Sequence, residues 1–268
     1  MNILLIGGGR QLGTYLIKNI ENLKNYDLTI FNRGNNKKNF SKHKYFVGDR
    51  NKDLNIFKNS FFDLVIDTCA YDPNKDYKAF RFFSKRSKKY IMVSSSYVDL
   101  IEKKNNFNKI ITDKQFKIIA NYAVNKKSLE VQLKKNCKNY LISRSVPLIS
   151  DIDHTGRTLK LIIYLSQFNS FTDLPENYVQ INTSKFYAKK IIDNKNKNRI
   201  TMRNAGAIIS LKEIFNNLTI NNDIFNPSNL KNHPYDDFGN FFTGFKTPKK
   251  EIFKVLRDVL SNYVIDNC

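Results

Sequence analysis

Cysteine is scarce in this chain of 268 residues. The three present, Cys69, Cys137 and Cys268, are an odd number, lie far apart and lack the close pairing of a zinc site. Neither a disulfide framework nor a structural zinc centre is expected, and a reducing, cytoplasmic setting fits best. Long apolar runs are missing too. The longest are strand-sized and broken by polar residues, so no membrane-spanning segment is expected. Met1-Asn2-Ile3-Leu4-Leu5-Ile6 leads straight into glycines and not into a cleavage-site pattern, which argues against a targeting segment.

Acidic residues are outnumbered, 24 against 45 lysines and arginines, for a formal charge of +21. A field of that size attracts nucleic acid and other polyanions, so a binding protein stands as the alternative class. The lysines, however, are scattered among asparagines, isoleucines and phenylalanines along the whole chain. A nucleic-acid footprint is a clustered stripe, so compositional bias is the preferred explanation.

What is present is an alternation of short apolar runs and helical patterns over residues 1–150. That is the signature of an α/β fold, a doubly wound parallel sheet with helices on both faces. Strands are predicted at Asn2-Ile6, Leu28-Phe31, Tyr45-Val47, Leu64-Asp67, Tyr90-Val93 and Tyr140-Ser143. Leu12, Leu16, Ile20 and Leu23 recur at helical spacing, and Asp113 to about Leu133 supports a long helix. From about 151 to 268 the pattern loosens into a smaller lobe, partly interleaved with the same sheet. There, Val179-Ile181 and Ile200-Met202 read as short strands. One helix is predicted to start at Ser210 with Glu213 completing a capping box, and another at Thr247 with Pro248 in its first position. The Asn194–Asn198 run and Asn221-Asn222-Asp223 read as surface turns.

The turn Gly7-Gly8-Gly9-Arg10-Gln11-Leu12-Gly13 lies between a hydrophobic strand and an amphipathic helix, the context that makes a glycine motif a dinucleotide site. Glycines let the backbone approach a pyrophosphate, whose charge then rests on free amides at the helix N-terminus. At the end of the second strand an NAD site usually places an acid, whereas this chain has Asn32-Arg33. A cation there favours NADP over NAD. Asp49, after the third strand and followed by Arg50, is placed to meet the adenine.

Tyr122 and Lys126 are one helical turn apart on the long helix and project from the same side. Upstream, Ser94-Ser95-Ser96 ends the fifth strand, at the edge where open α/β sheets bind ligands. A phenol with a pKa near 10 is a poor base at neutral pH unless a cation stabilises its phenolate. Lys126 supplies that cation, and a serine hydroxyl holds the substrate oxygen while the phenol moves a proton.

These motifs, with Phe31-Asn32-Arg33-Gly34, Asp63-Leu64-Val65-Ile66-Asp67-Thr68-Cys69-Ala70-Tyr71 and the run Tyr-x-x-x-Lys-x-x-x-Glu, resemble the extended short-chain dehydrogenase/reductases. More narrowly they resemble the NAD-dependent epimerase/dehydratase branch that includes chloroplast stem-loop-binding proteins. The likeness spans about residues 2 to 145, and Gln180-Ile181-Asn182 and the Thr247-Pro248 helix continue it faintly. It implies a Rossmann domain with a C-terminal substrate lobe, NADP or NAD as cofactor, and epimerase, dehydratase or reductase chemistry on a nucleotide sugar. Tyr122 becomes the acid/base, Lys126 its partner and Ser95 the substrate hydroxyl, with Ser96 next in line. Tyr71 and Ser94 join the cofactor set, and Arg157 becomes the cation for the substrate diphosphate. A homodimer is implied as well. Its rivals are an RNA-binding protein and a dinucleotide sensor without turnover. The chain departs from the pattern at Arg10, in place of a glycine, at Asp99, in place of a tyrosine, and after Val146, where a Gly-Pro is missing. His43 and His233 receive no role.

Overall fold

The structure, a computed structural model, describes residues 1–35, 40–102, 113–153, 156–165, 178–218 and 245–267. Asn221-Asn222-Asp223, His154, Thr155, His233 and Cys268 lie outside the described residues. The strands are β1 Asn2–Ile6, β2 Asp27–Asn32, β3 Lys44–Val47, β4 Leu64–Asp67, β5 Tyr90–Ser95, β6 Tyr140–Ser145, β7 Leu148–Ile149, β8 Tyr178–Thr183, β9 Ile200–Ser210 and β10 Phe245–Lys246. The helices are α1 Gln11–Glu21, α2 Pro73–Ser84, α3 Tyr97–Glu102, α4 Asp113–Asn136, α5 Arg157–Leu165, α6 Ser184–Asp193, α7 Leu211–Leu218 and α8 Lys249–Asn267.

The sheet order is β3-β2-β1-β4-β5-β6-β9-β8-β7, with β10 beside β9. Pairing is parallel from β3 through to β9, and β8 runs antiparallel to β9. The strand order reverses direction at β1, which opens a crevice at the carboxyl ends of the strands beside it.

Alternation along each strand sets the two faces. Ile3 and Leu5 of β1 pack with Leu12, Leu16 and Ile20 of α1 and with Tyr187 and Ile191 of α6. Leu4 and Ile6 face the other way, against a core that holds Phe80 and Phe83 of α2 and Leu129 and Leu133 of α4. Leu16 and Ile20 are fully buried, and each such side chain contributes roughly 1.5–3 kcal/mol. A third core joins α5, α7 and α8 to β8 and β9 through Leu161, Ile209, Ile214, Ile252 and Leu256.

The six strands predicted in the first half all form, and each boundary falls within two residues of expectation. β9 runs much further than Ile200-Met202. Its first part pairs with β6, and beyond Gly206, at φ +69°, its last part pairs with β8. Ser210 caps α7 by accepting the Glu213 amide at 3.0 Å, while the Glu213 carboxylate lies 2.7 and 2.8 Å from Lys249 Nζ. α8 begins at Lys249, just after Pro248, and Thr247 donates its hydroxyl to Asn182 Oδ1 at 2.6 Å. Among the described residues no helix is long and apolar enough to cross a membrane.

Candidate dinucleotide and catalytic site

The glycine turn opens directly onto the crevice. Gly7 and Gly8 adopt φ +115° and +87°, values that side chains resist. A Cβ on Gly13 would stand 2.3 Å from Gly8 Cα, so only glycine lets α1 pack this close to the turn. The N-cap of α1, Arg10, makes no side-chain capping bond, and no acid occupies the first turn. Amides without a side-chain cap and a glycine-lined approach fit a pyrophosphate. Gln11 turns aside to accept a bond from Ser184 Oγ at 3.3 Å, and Leu12 packs into the core.

Four further residues expected from the sequence to meet the cofactor have their side chains committed elsewhere. Asn32 donates to the Gly7 carbonyl at 2.9 Å, and its Oδ1 accepts from the Gly34 amide and the Tyr45 hydroxyl. It braces the turn from β2. Arg50 is buried and forms a two-point pair with Asp67 at 2.7 and 2.6 Å, with Asp76 3.5 Å away and Tyr90 donating to Asp67 at 2.6 Å. Its guanidinium therefore neutralises a carboxylate under the crevice instead of reaching into it. Ser94 donates to Glu130 at 2.6 Å, because it points to the α4 side of the sheet. Asp49 accepts the Asn51 amide at 2.8 Å, closing its own turn. Arg33 is exposed and makes no ion pair among the described residues.

Ser95, Tyr122 and Lys126 are brought together. The Tyr122 phenol faces Ser95, whose Oγ accepts the Tyr97 amide at 3.3 Å. Burial pushes the phenol's pKa up, while the neighbouring Ser95 hydroxyl and the charge of Arg157 pull it back. Lys126 is 2% exposed, and its Nζ donates to the carbonyls of Ala70 at 2.6 Å and Val93 at 3.1 Å. That ammonium lies 4.5 Å from the Tyr71 ring centre and 5.7 Å from that of Tyr122. Desolvation pulls Lys126 down to about 8, against the upward pull of Asp67, so it remains a cation at neutral pH. Tyr71 is half exposed and stands on the outer side of this ammonium. Arg157 opens α5, exposed, within electrostatic reach of Tyr122. Ser96 is buried, and its amide donates to the Ser145 carbonyl at 2.9 Å.

Solved structures match this fold over the whole chain. The chain resembles UDP-glucose 4-epimerase from Thermotoga maritima, with a TM-score of 0.63 and 13% identity over 99% of each chain. UDP-N-acetylglucosamine 4-epimerase from Methanobrevibacter ruminantium gives 0.64 and 15% over 99% of this chain and 98% of the other. UDP-glucuronic acid 4-epimerase from Bacillus cereus, solved with NAD, gives 0.62 and 12% over 99% of each. The fold is the Rossmann fold of these epimerases. No family model and no curated protein matches the sequence.

The sequence reading missed two further side chains. Tyr97 sets its ring edge-on to Tyr122, 6.2 Å between centres. Arg144, fully buried inside β6, gathers three carboxylates from α3 and α4. An arginine within a strand of otherwise buried residues was the available signal for it.

Proposed function

We propose that the protein is an NAD(P)-dependent enzyme of the extended short-chain dehydrogenase/reductase type that epimerises or reduces a nucleotide sugar. The observation that carries this reading is the convergence of Ser95 and Lys126 on Tyr122, with the Lys126 ammonium 5.7 Å from the Tyr122 ring centre and bonded to the carbonyls of Ala70 and Val93. A nicotinamide dinucleotide, when bound, supplies the hydride exchange. Gly7, Gly8, Gly9 and the first amides of α1 hold its diphosphate, and Tyr71 and Lys126 meet its far end. Ser95 fixes the substrate oxygen, and Tyr122 gives or takes the proton at that oxygen. Its raised pKa keeps the phenol protonated at neutral pH, so it serves as an acid directly. As a base it relies on the Lys126 cation. Arg157 offers a guanidinium fork to the substrate diphosphate. Asn32 and the exposed Arg33, where an acid would select NAD, favour NADP.

The test pairs binding with turnover. Fluorescence titration of the purified protein with NADPH and NADH should show saturable binding. UDP-glucose, UDP-N-acetylglucosamine and UDP-glucuronic acid are then screened for epimerisation and reduction. Tyr122→Phe should keep dinucleotide affinity and lose turnover by about a hundredfold or more. Absence of dinucleotide binding, or full turnover in that variant, overturns the proposal.

A further inference from the structure

The guanidinium of Arg144 has every donor occupied. Nε donates to Glu130 Oε1 at 2.9 Å and Nη2 to Glu130 Oε2 at 2.5 Å; Nη2 also donates to Glu102 Oε1 at 3.2 Å. Nη1 donates to Glu102 Oε2 at 2.9 Å and to Asp99. A guanidinium has five N–H groups, so none is spare. The partners have cations of their own. Arg203 Nε donates to Asp99 Oδ1 at 2.8 Å, Lys127 pairs with Glu102, and Ser94 completes Glu130. Arg144, Arg203 and Lys127 thus balance Asp99, Glu102 and Glu130; Arg144, Asp99 and Glu130 are buried, where charges hold only when matched, while Glu102, Arg203 and Lys127 reach the surface.

The partners sit on the elements that carry the proposed chemistry. Ser94 precedes Ser95 on β5, Asp99 and Glu102 belong to α3, and Glu130 lies on α4. Tyr122, Lys126 and Glu130 follow one another at intervals of four and so form a single row along one side of α4. In the sheet Arg144 is directly opposite Ser94 on one side and Arg203 on the other.

We infer that Arg144 is a positioning residue: through Glu130 and Ser94 it fixes the rotation of α4 against β5 and thereby sets Tyr122 and Lys126 against Ser95 and the nicotinamide half of the cofactor. It touches neither substrate nor cofactor. The inference rests on the dinucleotide reading of the crevice, and it divides the cofactor in two. The adenosine diphosphate half is held by the glycine turn, on β1 and α1, which the cluster does not touch. The nicotinamide half depends on α4.

The test compares dissociation constants of NADH and ADP on the full chain. Arg144→Lys keeps the charge balance and removes the fork. It should weaken NADH about tenfold and leave ADP within about twofold. A merely structural role would weaken both alike. Ser94→Ala, a small change with little risk to folding, should move NADH alone in the same direction by about threefold. Equal losses for both ligands, or no loss in either variant, overturn the inference. Wild-type protein that binds ADP but neither NADH nor NADPH, or none of the three, removes the dinucleotide reading itself and this inference with it.

Discussion

Lys126 reaches from the middle of α4 to the carbonyl oxygen of Ala70, 2.6 Å away, and so seats its charge under the ring of Tyr71. The ammonium is thereby held in a dry place between two elements that are far apart in sequence. Burial lowers its pKa from 10.5 to about 8.

That shift has a sign that stability measurements can read. Between about pH 8 and 10.5 the unfolded chain holds the lysine proton and the native chain does not, so this group makes stability rise with pH across that window. The Lys126→Met variant lacks the contribution. The difference in unfolding free energy between wild type and variant should therefore change by about 3 kcal/mol from below pH 8 to pH 10.5. Urea titrations at the two ends of the window measure it, and a difference independent of pH contradicts the buried placement.

Gly13→Ala drives a Cβ into the backbone of Gly8. Neither element can give way cheaply, so the variant should lose about 1–3 kcal/mol of stability. Dinucleotide affinity should fall with it. Thermal melts with and without NADPH check both, and an unchanged melting temperature would show that the turn is looser than described.

Arg33→Glu replaces an exposed cation by an anion at the proposed 2′-phosphate position. NADPH should bind at least about tenfold more weakly, and NADH should change little. Equal effects on the two cofactors would remove the NADP preference while leaving the rest of the site intact.

Arg50→Met strands Asp67, which is fully buried. Removing one partner of such a pair costs about 3–5 kcal/mol. Adding Asp67→Asn should recover part of the loss, as a double-mutant cycle in denaturant will reveal. Additive losses would mean that the two side chains do not act as a pair.

Much of the architecture was legible because its causes are local. Ile3 to Ile6 alternate between two buried faces and run into Gly7, and Leu12, Leu16 and Ile20 share one side of a helix, so strand, turn and helix announce themselves. The pairing of Tyr122 with Lys126 is a matter of helical spacing and was equally visible. Side-chain commitment was not. Ser94 and Ser95 are adjacent and chemically alike, and only the pleat sends one to Glu130 and the other to Tyr122. Arg50 follows a turn aspartate in a motif that suggests a ligand contact, but its partner Asp67 is on a different strand. The same holds for Arg144, whose three acids come from two helices. Contacts of this range depend on tertiary packing, which spacing along the chain does not encode.

β9 takes its first five residues alongside β6 and its last four alongside β8. One strand late in the sequence thus closes the sheet begun early in it, and a fragment ending near residue 150 would leave the margin of β6 bare and prone to pair with other chains. For recombination with another protein, suitable crossover points lie before Tyr140 or after Ser210, so that β6, β8 and β9, and with them both seams, are inherited from one parent.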